Sequence, residues 1–178
     1  MLETLGEDPC IIAEIGCNHG GDPALAAEMI EAAAAAGARF VKLQTYAIDE
    51  YVSRQHPAHA GFAAEALSRD DFQNLANVFS QKGVTVFSTP FDFSSADFLD
   101  EIGTPLFKIA SGDITYVPLL RHIAKKGKPI LLSTGACTWG ELDMAVAVIR
   151  DESSAGLVLL HCTAAYPAPD EDLHLNLI

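Results

Sequence analysis

The chain has 178 residues, of which 49% are hydrophobic and 20% charged, and this composition is typical of one globular domain. The formal net charge of −13 argues against nucleic acid or an anionic membrane as a partner, although a small anion can still bind beside local lysines. The first residues do not resemble a signal peptide, and no apolar stretch approaches the ~20 residues of a membrane span. We therefore expect a cytoplasmic protein.

Short apolar runs alternate with helical patterns along the chain. The predicted strands cover residues 11–15, 40–44, 84–88, 106–109, 129–132 and 157–161. The predicted helices cover about 23–36, 71–81, 94–102, 118–126 and 140–151. Asp22 and Thr138 are candidate caps for the first and last helices, and Ser94 or Ser95 for the third. This alternation predicts an α/β fold with parallel strands.

The connection between the second strand and the second helix is unusually long for a compact domain. It contains His56 and His59, which are three residues apart and could bind a metal if this segment were helical. We interpret it instead as a mobile, polar loop. The four cysteines have no CxxC spacing and are interpreted as small buried residues, although Cys17 and Cys162 follow strands and could line a site.

Every predicted strand runs into polar residues, and this favours a barrel, in which active sites lie at the carboxyl ends of the strands. A closed (β/α)₈ barrel needs eight strands and typically ~250 residues. We therefore predict one barrel domain over residues 1–178, truncated after about six βα units. A six-stranded doubly wound sheet is the alternative, but Gly20-Gly21 is too little for its nucleotide-binding turn.

Two lysines within apolar strands indicate an anion site. Lys42 shares a strand face with Gln44, and Lys108 lies between two apolar residues. A buried lysine is costly unless it is paired, for instance with Glu14 or Asp113. Two lysines near the end of a barrel where the carboxyl ends of the strands meet nevertheless favour the binding of phosphate or carboxylate.

Hydroxyl groups and carboxylates at other strand ends extend this set. Thr89, Ser111 and Ser133 lie near flexible backbone, and their hydroxyls suit a phosphate. Glu14 is equally well explained as the partner of a lysine or as a catalytic group with a tuned pKa. We predict that these polar side chains form a ring at the carboxyl ends of the strands. Four further residues complete this ring, namely His19, Asp113, His161 and Tyr166.

Six motifs in chain order resemble the N-acetylneuraminate (sialic acid) synthase family. They are AEIG at 13–16 with NHG at 18–20, VKLQ at 41–44, STPFD at 88–92, FKIASGD at 107–113, LSTG at 132–135 and HCTAAYP at 161–167. The resemblance implies a TIM barrel transferase that condenses phosphoenolpyruvate with an amino sugar of the N-acetylmannosamine type. The product would be a nine-carbon 2-keto sugar acid, with phosphate released. The implied acceptor for C3 of phosphoenolpyruvate is the aldehyde of the open-chain sugar, polarised by Mn²⁺ or Mg²⁺.

The resemblance also implies roles for individual residues. The catalytic residues would be Glu14, Lys42 and Lys108, with Glu14 as the acid/base group. Phosphoenolpyruvate would be held by Lys42, Thr89, Lys108, Ser111 and Ser133. The sugar would face Gln44, Asp113 and Tyr166. No metal ligand is assigned within the chain, because the family's two ligand histidines are expected beyond Ile178.

The family's C-terminal antifreeze-like domain, which completes the partner's site in a homodimer, is also expected beyond Ile178. Asp113 stands where many members have Glu, and Ala164 where many have a polar residue, so the resemblance leaves the sugar open. One alternative is a phosphoenolpyruvate-condensing synthase that acts on a sugar phosphate. Another is a non-catalytic fragment that needs a partner, and we expect the isolated chain to be inactive in synthesis.

Overall fold

The computed structural model describes residues 10–178, which contain two three-stranded parallel sheets. The chain is divided into two compact units, the first ending at Pro105 and the second running from Leu106 to Ile178. In the first unit the sheet order is β1 (Ile12–Gly16), β2 (Phe40–Thr45) and β3 (Thr85–Pro90). In the second unit the order is β4 (Phe107–Ile109), β5 (Ile130–Ser133) and β6 (Leu157–Leu160). The predicted parallel α/β pattern is therefore confirmed, whereas a single domain over 1–178 stays a prediction.

Helices separate the strands throughout. They are α1 (Pro23–Ala35), α2 (Ile48–Tyr51), α3 (His59–Glu65), α4 (Arg69–Gln81), α5 (Phe93–Glu101), α6 (Val117–Ala124) and α7 (Trp139–Glu152). Asp22 caps α1 by accepting hydrogen bonds from two backbone N–H groups. Thr138 and Glu141 form a capping box at the start of α7. None of the described helices is long and apolar enough to cross a membrane.

The segment between β2 and α4 differs from the predicted mobile loop. It contains α2 and α3, which are held by four packed aromatic side chains. Tyr46 stacks on Tyr51 with 4.7 Å between the ring centroids, and Phe62 and Phe91 contact these rings at 5.0–6.5 Å. The Tyr46 hydroxyl also donates to the carbonyl of Phe62 at 2.9 Å. Most of these contacts join residues distant in sequence, so local hydrophobic periodicity does not predict the two helices.

α3 also packs closely on the turn that follows β1. Gly21 has φ +80°, and a Cβ added there would lie 2.2 Å from the carbonyl oxygen of Ala64. At the neighbouring Gly20, which also has positive φ, such a Cβ would meet nothing within 4 Å. Glycine at 21 is therefore required by close approach of two backbones as well as by backbone conformation.

A buried aspartate fixes the loops after β2 and β3. Asp92 is 3% exposed and caps α5, correcting the expectation that Ser94 or Ser95 would do so. Its Oδ1 accepts from Ser94 Oγ and Ser95 N, and its Oδ2 accepts from Ser95 Oγ and Ala47 N, at distances of 2.7–2.9 Å. Because both oxygens accept, the site suits a carboxylate and not an amide.

We expect Asp92→Asn to lower the free energy of unfolding by roughly 1–3 kcal/mol, because the new NH₂ group would face donors in a buried site. The matched control is Asp22→Asn, since the exposed cap of α1 accepts through Oδ1 alone and Asn caps helices about as well as Asp. Urea unfolding of both variants measures the difference. Equal losses in the two variants would contradict this role of Asp92.

Candidate functional site

In the first unit, Glu14, Lys42 and Thr89 form a connected polar set. Lys42 Nζ lies 2.7 Å from Glu14 Oε2 and donates to Thr89 Oγ1 at 3.1 Å. Lys42 is 7% exposed and Thr89 1%. The pairing of Lys42 with Glu14, one of two explanations that the sequence left open, is thus observed.

The register of the strands explains why these groups meet. Glu14 and Lys42 are direct partners on β1 and β2, and Gln44 is opposite Thr89 on β3. The register between β1 and β2 shifts just after Glu14, where Gly16 adopts φ +60°. A Cβ at Gly16 would lie 3.2 Å from Glu14 Oε1 and 3.6 Å from Gln44 Nε2. The Glu14 carboxylate and the Gln44 amide therefore border the same small space.

In the second unit, Lys108 lies in β4 and Asp113 lies in the turn that follows this strand. Lys108 is 7% exposed and donates to the carbonyl of Ile109 at 2.6 Å. Asp113 lies in the 3₁₀ turn Ser111–Asp113, and its Oδ2 is buried without a hydrogen-bond partner. Burial raises the pKa of Asp113 to about 6, although the charge of Lys108 acts in the opposite direction. This carboxyl can therefore hold or release a proton near neutral pH.

Two serines and a glycine connect the ends of β4, β5 and β6. Ser111 Oγ accepts from the N–H of Gly135 at 2.9 Å, and Cys162 Sγ donates to Ser133 Oγ at 3.4 Å. A Cβ at Gly135 would lie 3.0 Å from Ser111 Oγ and 3.2 Å from the carbonyl of Cys162. The absence of a side chain at Gly135 therefore allows these three strand ends to approach one another.

Tyr166 belongs to neither of the polar sets described above. It is 99% exposed and precedes a cis peptide bond to Pro167. His161, also predicted for the ring, is exposed, and its Nε2 lies 2.7 Å from the carbonyl oxygen of Leu173. His19 is 2% exposed and accepts from the N–H of Gly21, so it holds the turn after β1. Burial lowers the pKa of His19 and favours its neutral form.

Of the other residues near the strand ends, Thr45 had no predicted role, whereas the Ser88 hydroxyl was predicted together with that of Thr89, and Cys17 was a candidate for lining the site. Thr45 and Ser88 share a 2.7 Å hydrogen bond between hydroxyls on adjacent strands. Burial, followed by a hydrogen bond with Glu65, raises the pKa of the Cys17 thiol. Cys17 therefore does not have the lowered pKa of a nucleophilic thiol. The sequence signal for Thr45 and Ser88 is their position at the ends of strands already identified.

The described residues form no metal cluster, and a cavity in the second unit overlaps the polar sets only at Cys162. Among residues 10–178, no group of three or more His, Cys, Asp or Glu side chains is arranged to hold a metal ion. A cavity of about 850 Å³ lies in the second unit and is lined by residues including Trp139, Leu142, Leu159 and Leu177. Its lining is mostly apolar, but it includes His161, which was predicted for the ring, and Cys162.

The raised pKa of Asp113 predicts a pH-dependent contribution to stability. Between about pH 4, the ordinary range of Asp, and about pH 6, the folded state retains a proton that the unfolded chain has lost. The contribution of Asp113 to the free energy of unfolding therefore falls as pH rises through this window. Asp113→Asn should become progressively more stable relative to the original protein between pH 4 and 6, and the difference should then level off.

Urea unfolding at pH 4, 5, 6 and 7 measures this difference. Asp143→Asn is the matched control, because Asp143 is an exposed acid of α7 in the same unit. A constant stability difference for Asp113→Asn across the four pH values would show that its carboxyl does not titrate as the geometry requires.

Comparison with known proteins identifies the family of this chain. An uncharacterised protein of Methanocaldococcus jannaschii is 40% identical over 97% of this chain and 51% of its own length. The N,N'-diacetyllegionaminic acid synthase of Legionella pneumophila is 39% identical over 93% of this chain and 52% of its own length. The chain thus spans about half the length of the curated relatives it matches.

Among solved structures, the N-acetylneuraminic acid synthetase of Leptospira borgpetersenii, in complex with citrate, superposes with a TM-score of 0.89. It is 35% identical, over 94% of this chain and 58% of that protein. This likeness confirms the predicted fold class, which is α/β of the (β/α)₈ barrel type. The NeuB family model matches residues 29–178. This chain belongs to the NeuB family.

Proposed function

We propose that this chain contributes to a synthase that condenses phosphoenolpyruvate with an N-acetylated amino sugar. The product is a nine-carbon 2-keto sugar acid, and inorganic phosphate is released. The observation that carries this proposal is the buried Lys108 at the end of β4, in the unit where Ser111 and Ser133 connect the adjoining strand ends. The names of the Legionella and Leptospira relatives support the reaction class, and they differ in the sugar acid formed.

Lys108 supplies a fixed positive charge with little access to water. Such a group binds phosphate or carboxylate more strongly than an exposed lysine, because the surrounding dielectric is lower. Ser111 and Ser133 have hydroxyls that can donate to the same anion. Their positions are set by Gly135 N–H and by Cys162 Sγ, so little rearrangement is needed when an anion arrives.

Glu14 is the proposed proton-transfer group, and Lys42 and Thr89 are proposed to bind the anionic substrate. Gln44 and Asp113 offer an amide and a carboxyl to sugar hydroxyls. Asp113 suits this role, because its unpartnered Oδ2 can accept a hydrogen bond from a sugar hydroxyl. Tyr166 is proposed as a sugar contact in the complete enzyme.

The divalent metal and the homodimer also belong to the proposed complete enzyme. In that enzyme the metal would polarise the aldehyde of the sugar. The described residues do not form a site that fits a metal, so no ligand is assigned among them.

Calorimetric titration of phosphoenolpyruvate into the chain tests the proposal. We expect binding, and we expect Lys108→Ala to weaken it by about tenfold or more, as for loss of a charge-assisted hydrogen bond. Lys82→Ala is the matched control, because Lys82 is an exposed lysine paired with Glu31 and its loss changes the net charge equally. Circular dichroism verifies that each variant is folded.

Phosphoenolpyruvate binding that is equally strong in the original protein and in folded Lys108→Ala would contradict the role of Lys108. An absence of binding in the original chain would contradict the proposal that this segment carries the anion site.

A further inference from the structure

We propose that Glu14 is an internal substitute for the substrate anion: it holds Lys42 in the empty protein and is displaced when phosphoenolpyruvate binds. The inference rests on the proposed function and goes beyond it, because it assigns to Glu14 control of anion affinity before any proton transfer. It depends on contacts within the first unit alone.

The exposure of the three groups is strongly unequal. The Lys42 side chain is 9% exposed and the Glu14 side chain 53%, whereas Thr89 is 1% exposed. Glu14 therefore reaches the lysine from the solvent side, while Thr89 holds it from the buried side. An anion that enters from solvent meets Lys42 where the Glu14 carboxylate already lies, 2.7 Å from Nζ.

The charge balance makes displacement preferable to addition. Lys42 and Glu14 together carry no net charge, so the occupied pair attracts an anion weakly. A second anion bound beside Glu14 would place two negative groups around one ammonium, and their repulsion is strong where water is partly excluded. Lys42 has three N–H donors, and exchange of Glu14 for phosphate or carboxylate keeps the cation paired throughout.

The Glu14 carboxylate already lies near a second donor, the amide of Gln44. Gly16 has no side chain, and the space where its Cβ would lie is bordered by Glu14 Oε1 at 3.2 Å and Gln44 Nε2 at 3.6 Å. The Gln44 amide is a donor and can receive the carboxylate once Lys42 has been taken by the substrate. Glu14 would then be free of its cation and available for proton transfer only after the anion has bound.

The test compares Glu14→Gln with the original protein in calorimetric titrations of phosphoenolpyruvate and of inorganic phosphate. Removal of the competing charge should tighten binding of both ligands about fivefold, as for a partly exposed ion pair. The gain should disappear in a Lys42→Met background, because Glu14 acts through that lysine. Thermal unfolding verifies the fold of each variant.

Glu31→Gln is the matched control. Glu31 pairs with Lys82 at the same 2.7 Å, but both side chains of this pair are exposed, at 58% and 53% respectively. The substitution makes the same change in net charge and should leave both affinities unchanged. Glu14→Asp is a second variant that keeps the charge. Its shorter side chain should weaken the pair with Lys42 and give an affinity between those of the original and Glu14→Gln.

Equal or weaker binding by Glu14→Gln, with binding by the original protein intact, would overturn the inference and leave the proposed function standing. A similar gain in Glu31→Gln would also overturn it, since the effect would then come from net charge alone. Absence of phosphoenolpyruvate binding in both the original protein and Glu14→Gln would instead refute the proposed function.

Discussion

In each unit a lysine is buried within an apolar strand, and its charge determines which polar groups must surround it. Lys42 and Lys108 are each 7% exposed, and a charge so placed needs partners that replace water. The carboxyl ends of the strands provide them. Glu14 and Thr89 satisfy Lys42, and the carbonyl of Ile109 accepts from Lys108. We propose that phosphate or carboxylate from the ligand replaces one of these acceptors when the ligand binds.

Hydrogen bonds and close packing tie together the backbone segments near the strand ends. The four hydrogen bonds of Asp92 tie the loop after β2 to the start of α5 in the first unit. In the second unit, Gly135 permits close approach of three strand ends, as any side chain there would meet Ser111 and Cys162. Polar groups fixed in this way lose little conformational freedom when a ligand binds.

Much of this arrangement could be predicted from sequence, because apolar runs and caps are local signals. The strands lie within two residues of their predicted bounds, and Thr138 caps α7 as expected. α2 and α3 could not be predicted, since the aromatic contacts that stabilise them join distant residues. The predicted cap of α5 was wrong, because the helix begins at Phe93 and its cap, Asp92, also accepts from the N–H of Ala47, which is distant in sequence. The pairing of Glu14 with Lys42 required the strand register, and the exposure of Tyr166 had no local signal.

We propose that the lysines and hydroxyls at the strand ends bind an anionic substrate, and a crystal structure of the chain grown with phosphoenolpyruvate would show this binding. We expect density for the ligand with an oxygen within hydrogen-bonding distance of Lys108 Nζ and of the Ser111 or Ser133 hydroxyl. Ligand density confined to the apolar cavity beside Trp139, with the surroundings of Lys108 unchanged, would contradict it.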